Sequence, residues 1–306
     1  MKNEKLEGLI AAPFTPMNKD GELNLSVIPQ YYALLKRNKV IGAFINGSTG
    51  EGVSQTKEEK KKVAEAWAAA TRNDKDFKVI NLVGGTSLAD CKEMAKHTQE
   101  TGLYAVSFTA PFYFKPGSAQ ALAECCAEVA AAAPDTAFYY YHIPVLTGCH
   151  IAMYDLLNAV NGAIPNFAGI KYTHEDFMDF LSCMYVDNGR YDMLWGRDEN
   201  MLSALALGAF GAVGSTYNYA APLYNDMQQA FKDGDLLKAR DLQQLSIDMI
   251  RLLGKYGGIA TGKAYMKLVG IDCGGFRLPV RNMSDEQFEA FRKDVHALNF
   301  ESFCSR

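Results

Sequence analysis

Lys171 stands inside an otherwise apolar, β-like run, Phe167-Ala-Gly-Ile-Lys-Tyr-Thr173. Side chains alternate across a strand, so Phe167, Gly169, Lys171 and Thr173 are expected on one face and Ala168, Ile170 and Tyr172 on the other. Either face of a covered strand is a costly place for an ammonium. Two readings fit. In one, the strand is short and the lysine stem snorkels to water. In the other, the amine attacks a carbonyl and forms a Schiff base, which requires it to be neutral. At the ordinary lysine pKa only about 0.04% of the amine is neutral at pH 7. Desolvation lowers such a pKa by roughly 3–5 units, which supplies the nucleophile.

Tyr141 closes the aromatic run Phe138-Tyr-Tyr-Tyr-His-Ile-Pro144. At the end of the strand preceding that of Lys171, its phenol is placed to carry a proton to and from carbon or oxygen. The other tyrosines of the run read as strand core. The turn Gly47-Ser-Thr-Gly-Glu51 follows an apolar run and offers backbone N–H groups and hydroxyls to a carboxylate or phosphate. Gly196-Arg-Asp-Glu199 and Gly214-Ser-Thr-Tyr-Asn218 carry acids and hydroxyls suited to a polyol. Each of these turns, taken alone, also reads as nothing more than a polar turn with acids at a helix start.

Other signals point nowhere. Gly257-Gly-Ile-Ala-Thr-Gly-Lys-Ala264 approaches a phosphate-binding loop. However, Ala264 lacks the hydroxyl that would hold Mg²⁺, and the segment follows a helical pattern rather than a strand. Its glycines are expected to form an interhelical turn, and GKAYMKLVG, from Gly262, a short helix. The histidines, at 97, 142, 150, 174 and 296, show no helical zinc spacing. His174-Glu-Asp176 sits where acids are expected to cap a helix. No G-x-S-x-G elbow occurs. Neither a metal nor a cofactor is expected.

The elements that must position these residues alternate. Eight β-like runs, 8–14, 42–46, 79–84, 105–110, 137–143, 168–173, 192–195 and 212–215, are bounded by Gly, Pro, Asn or Asp. Amphipathic stretches lie between them, the first opened by the capping-box pair Thr56 and Glu59. Units of about 29 residues suit a (β/α)8 barrel, expected over residues 1–232. Residues 233–306 read as a C-terminal helical extension packed on the barrel, its last helix capped by Ser284. The rival, an open doubly wound sheet, would need a glycine-rich fingerprint after the first strand, where Ala12-Pro-Phe-Thr-Pro16 stands instead. All five candidate segments then fall at the C-terminal ends of strands, the face on which barrel enzymes build their sites.

Composition narrows the function classes. The chain has 306 residues with 31 Lys+Arg against 35 Asp+Glu, a net charge of −4. It carries no basic patch of the kind that binds nucleic acid. The seven cysteines show no CxxC spacing, so a reducing, cytoplasmic setting is expected. The opening MKNEKLEGLIAAPF has no continuous apolar stretch of a secretory signal, and no run is long enough to span a membrane.

Together, GSTGE, FYYYHIPVLTG, GIKYT, GRDE and GAVGSTYN resemble, in order and spacing over nearly the whole chain, the N-acetylneuraminate (sialic acid) lyase family of pyruvate-dependent class I aldolases. FYYYHIP and the later GGFRLP resemble its animal-type branch. The resemblance implies that Lys171 forms the Schiff base and that Tyr141 shuttles the proton. It implies that Ser48 and Thr49 seat the pyruvoyl carboxylate and that Thr173 lies beside the substrate. Gly196, Asp198, Glu199, Gly214 and Ser215 would bind the sugar end. Tyr113 would reach into a neighbouring subunit's site in a homotetramer. The implied reaction is reversible cleavage of N-acetylneuraminate to N-acetylmannosamine and pyruvate, with no cofactor.

Dihydrodipicolinate synthases resemble the chain on the same lysine and tyrosine. They carry an arginine where Leu146 stands here, and a leucine cannot bind a second carboxylate. Aldolases for other 2-keto-3-deoxy sugar acids remain an alternative. A barrel that only senses its ligand would need neither Lys171 nor Tyr141. His142, where bacterial members carry asparagine, and Arg197, within the polyol segment, depart from the family pattern.

Overall fold

Each apolar run becomes a short strand because its two faces meet two different cores. The computed structural model describes residues 5–306. Eight parallel strands close into a barrel in chain order: β1 (Gly8–Ala11), β2 (Gly42–Ile45), β3 (Lys78–Leu82), β4 (Ala105–Phe108), β5 (Ala137–His142), β6 (Phe167–Tyr172), β7 (Asp192–Trp195) and β8 (Gly211–Gly214), with β8 paired back to β1. One core fills the barrel and includes Ile10, Phe44, Ile80, Tyr139, Tyr141 and Leu194. The larger one lies between strands and helices, with Trp67, Tyr140, Ile170, Tyr172 and Trp195 among its members. The barrel is a packed interior, not a pore.

The helices cover the barrel: α1 (Ile28–Arg37), α2 (Lys57–Thr71), α3 (Leu88–Glu100), α4 (Ala119–Ala130), α5 (Pro144–Thr147), α6 (Met153–Val160), α7 (Phe177–Tyr185), α8 (Met201–Ala206) and α9 (Tyr217–Lys232). The capping box on α2 forms as its spacing predicts: Thr56 Oγ1 accepts from the Glu59 N–H, and Glu59 accepts from the Thr56 N–H. Three further helices follow, α10 (Leu236–Lys255), α11 (Ala260–Leu268) and α12 (Asp285–Ala297). Ser284 caps the last of these. α10 packs along α9 and against the turn that follows β7. No described helix is long and apolar enough to cross a membrane.

Two expectations are corrected. The strict alternation drawn for residues 167–173 fails at its first member. Phe167 joins the outer core with Phe138, while Ala168 enters the barrel interior with Tyr141. The cause is a register shift between β5 and β6, where Phe138 pairs with Phe167 but Tyr139 pairs with Gly169. An extra residue in one strand reverses the faces behind it. Lys171 lies beyond the shift and points inward. Second, the interhelical turn expected of the three glycines holds for only two of them, while the short helix expected from Gly262 forms. Gly257 and Gly258 take φ of +107° and +78°, but Thr261, Gly262 and Lys263 are already in α11. Gly262 is there because a β-carbon would stand 2.2 Å from Phe14 Cζ.

Candidate active site

β6 carries Lys171 into the barrel mouth, and β5 carries Tyr141 beside it, the two in direct register. Lys171 is 4% exposed, so the snorkelling alternative does not hold. Its Nζ lies 4.0 Å from the centre of the Phe44 ring and 4.1 Å from that of Tyr141. Burial lowers its pKa to about 7, opposed only by the more distant charge of Asp198. Near neutral pH a large fraction of this amine is therefore unprotonated and nucleophilic.

Tyr141 shifts the opposite way. Burial raises its phenol to about 12, while the hydroxyls of Ser48 and Thr173 beside it pull it down. It remains a protonated phenol at neutral pH, able to donate and then to receive a proton. Those two hydroxyls arrive from different elements, Ser48 from the turn after β2 and Thr173 from the residue after β6. Thr49 is buried in the same turn as Ser48. Thr173 Oγ1 is buried, and its polar neighbour is the Tyr141 phenol.

The sugar-end candidates converge from β7 and β8. Gly196 continues the β7 ladder by donating its N–H to the Tyr172 carbonyl at 2.8 Å. Asp198 is 5% exposed. Its Oδ2 accepts from the Thr216 N–H at 3.0 Å and from Thr216 Oγ1 at 2.6 Å. Its Oδ1 has no partner. Burial raises its pKa to about 6 against the pull of those two bonds. A β-carbon on Gly214 would stand 1.8 Å from Asp198 Oδ1, so only glycine leaves that oxygen room. Ser215 is half-buried at the end of β8. Glu199 turns toward Arg197 at 2.7 Å, and Arg197 also pairs with Glu175 at 3.0 Å.

Tyr113 stands apart from this cluster. It is 76% exposed on the loop after β4, its ring edge-on to Phe114. Leu146 lies exposed on α5. His142 is buried against Tyr172 and His174, and burial with the neighbouring histidines pushes its pKa to about 3. It is neutral at any working pH and adds no charge. Among the described residues no group of three or more His, Cys, Asp or Glu could hold a metal ion.

Sequence reasoning missed three contributors. Phe44 forms half of the aromatic sleeve around Lys171, and strand alternation through Gly42 and Phe44 could have found it. Thr216 holds Asp198, and it lies within the quoted GSTYN segment. Gln243 of α10 donates to the Asp198 carbonyl at 3.2 Å and accepts from the Leu202 N–H at 2.9 Å, with no sequence signal at all.

A closed (β/α)8 barrel carrying a buried lysine and a phenol at its C-terminal mouth is the frame of a class, the barrel lyases of aldolase type. Within that class the chain belongs to the Dihydrodipicolinate synthetase family, whose model matches residues 5–298. It is 43% identical over 304 residues to N-acetylneuraminate lyase of Rattus norvegicus, covering 98% of this chain and 95% of that one. The Homo sapiens N-acetylneuraminate lyase is 43% identical over 306 residues, with 98% and 95% covered. Among solved structures, Proteus mirabilis N-acetylneuraminate lyase superposes with a TM-score of 0.94 at 42% identity, covering 97% of this chain and 100% of that one. The Aliivibrio salmonicida enzyme gives 0.94 at 38% identity, with 97% and 98% covered. The likeness is thus as strong to a bacterial structure as to animal sequences.

Proposed function

We propose that the chain cleaves N-acetylneuraminate reversibly to N-acetylmannosamine and pyruvate, with Lys171 as the Schiff-base nucleophile. The observation that carries this reading is Lys171 itself, an amine inside the barrel with its pKa lowered to about 7 by burial and a phenol in register beside it. The relatives that cover nearly the whole chain bear the name of this activity.

In this reading the neutral Lys171 amine adds to the C2 ketone of the open-chain substrate, and the Tyr141 phenol gives its proton to the departing hydroxyl, so that water leaves and a protonated imine and a phenolate remain. Tyr141 relays the C4 hydroxyl proton as the C3–C4 bond breaks, and the bonding electrons pass into the imine as an enamine. N-acetylmannosamine departs as the aldehyde. C3 of the enamine takes a proton, and hydrolysis frees pyruvate and the amine. Atoms and electrons balance without metal or cofactor. Ser48 and Thr49 hold the carboxylate next to the imine. Asp198 Oδ1, Thr173, Glu199, Ser215 and the backbone at Gly196 and Gly214 meet the hydroxyl-rich end.

The quaternary reading rests on the family resemblance of the sequence, and the cellular one on composition. Copies associate, as a homotetramer, through the loop bearing Tyr113 and Phe114, which are 76% and 86% exposed. All seven cysteines are free thiols, consistent with a reducing cytoplasm. Residues 233–306 act as a helical extension of a catalytic barrel spanning 1–232.

The test is borohydride reduction in the presence of pyruvate, followed by peptide mass spectrometry. The expected result is a reduced three-carbon adduct on Lys171 and, with N-acetylneuraminate instead, release of N-acetylmannosamine. A folded protein that leaves Lys171 unmodified would overturn the Schiff-base reading. An adduct without sugar release would redirect it to another 2-keto-3-deoxy sugar acid.

A further inference from the structure

Lys263, the lysine of the segment that imitates a phosphate loop, has no task in the reaction above. It is 4% exposed, and its Nζ lies 2.8 Å from Glu51 Oε1, 2.6 Å from the Gly275 carbonyl and 4.7 Å from the centre of the Phe276 ring. The second oxygen of Glu51, Oε2, accepts the Arg277 N–H at 2.8 Å. Both carboxylate oxygens of Glu51 are therefore held by residues that follow the barrel in sequence.

Glu51 is the last residue of the Gly47–Glu51 turn, which carries Ser48 and Thr49. It adopts φ of +58°, the left-handed region. There a residue with a β-carbon is worse than glycine by about 1 kcal/mol. The neighbouring Gly50 carbonyl accepts from Thr15 Oγ1 and Gln55 Nε2, both at 2.6 Å. Arg277 extends the grip to the following helix, donating to Ser54 O at 3.2 Å and to Glu59 Oε2 at 2.9 Å. Stability alone is a poor reason for this arrangement. A buried ion pair roughly breaks even against an apolar pair of the same shape, and glycine would suit the backbone better. What the pair does supply is one fixed geometry, and donors aimed at a carboxylate act in proportion to how rigidly they are held.

We propose that Lys263 and Glu51 are positioning residues for the keto-acid carboxylate: the buried pair locks the turn bearing Ser48 and Thr49 and sets the affinity of that seat without touching the substrate. This rests on the Schiff-base reading. It goes beyond it by giving the C-terminal helices a part in substrate binding.

The test uses the full chain with two double variants, E51Q/K263M and E51G/K263M, the second of which also relieves the left-handed strain. Borohydride trapping of Lys171 is followed against pyruvate concentration and, separately, with acetone, a ketone that has no carboxylate. The half-saturating pyruvate concentration is expected to rise about tenfold or more, while trapping at saturating pyruvate and trapping by acetone stay near wild type. Folded variants with unchanged pyruvate half-saturation would overturn the proposal. So would equal losses with pyruvate and acetone, which would place the effect on Lys171. Failure of both variants to fold would make the pair a folding requirement and would also overturn it. The wild-type adduct is measured first and needs no variant, so a failure of the Schiff-base reading is seen separately.

Discussion

Lys171 and Tyr141 are register partners on adjacent strands, and the lysine Nζ lies 4.1 Å from the centre of the tyrosine ring. Two effects compete there. An ammonium over the faces of Tyr141 and Phe44 gains up to about 2 kcal/mol, which favours the charged form. Desolvation of a fully buried lysine opposes it by roughly 3–5 pKa units, or about 4–7 kcal/mol. Desolvation wins, and the amine is held near neutrality.

The pH dependence of adduct formation should report that balance. The rate of trapping by pyruvate is expected to rise with pH through about 7 and to level off above it, measured as initial rates with cyanoborohydride. A rise centred in the ordinary lysine range would contradict the burial argument. Stability rises with pH as well, over a higher window, from about 7 to 10.5. With a folded pKa of about 7 against 10.5 unfolded, the unfolded chain binds a proton that the native state does not. The penalty is full below pH 7 and vanishes above the unfolded pKa. Lys171→Met should therefore raise stability at pH 7 by roughly 3–5 kcal/mol and converge with wild type above pH 10.5, in urea melts.

Tyr141→Phe removes the proton carrier and leaves the ring beside Lys171. kcat is expected to fall by about 10²–10⁴, with far-UV circular dichroism unchanged. Because the carboxylate seat is intact, half-saturation by pyruvate in the trapping assay should move little. A variant with near-normal kcat would remove the phenol from the mechanism.

Asp198 should separate the two ends of the substrate. Asp198→Ala is expected to raise KM for N-acetylneuraminate by about tenfold or more, the cost of losing a buried charged acceptor. The half-saturating concentration of pyruvate, which lacks the polyol, should stay within a factor of about two. Gly214→Ala tests the same oxygen from the other side, since its β-carbon would occupy the space beside Oδ1. It should reproduce the sugar-specific defect. Parallel losses for both ligands would instead indicate collapse of the whole mouth.

Asp192 offers a control remote from the chemistry. It lies at the start of β7, where its Oδ2 accepts from Tyr139 Oη at 3.0 Å and from the Leu6 N–H at 3.3 Å. Burial raises its pKa from 3.8 to about 7, more than those bonds lower it. Between these values the unfolded chain ionises and the native one does not, so native stability is lost as pH rises from about 4 to 7. Asp192→Asn should be more stable than wild type by roughly 4 kcal/mol at pH 8 and nearly equal to it near pH 4. Thermal melts across that range would check it, with activity little changed.

Much of this was legible in residue order. Lys171 announced itself by being charged in an apolar strand, and the hydroxyl and acid turns by following strands. What stayed hidden is set by tertiary contact. The register shift at Phe138 depends on how β5 meets β6, so the face assigned to Phe167 could not be read locally. Asp198 is held by Thr216 and Gln243, 18 and 45 residues away, and nothing near Asp198 specifies either. The glycines at 257, 258 and 262 all read as a turn, although a short helix is legible from Gly262 onward. Two of them bend the chain, and the third admits a phenylalanine ring.

The ion pair between Glu51 and Lys263 joins positions 212 residues apart. At about 5–20 residues per second, a ribosome releases Glu51 some ~10–40 s before its partner. During that interval strands β3–β8 are made, with Lys171 and Tyr141 among them, while the Glu51 carboxylate has no Lys263 to meet. A growing chain can thus hold its reactive amine well before the keto-acid cradle is fastened. Under the proposal above, the keto-acid seat is therefore fastened only when the last helices of the chain are made.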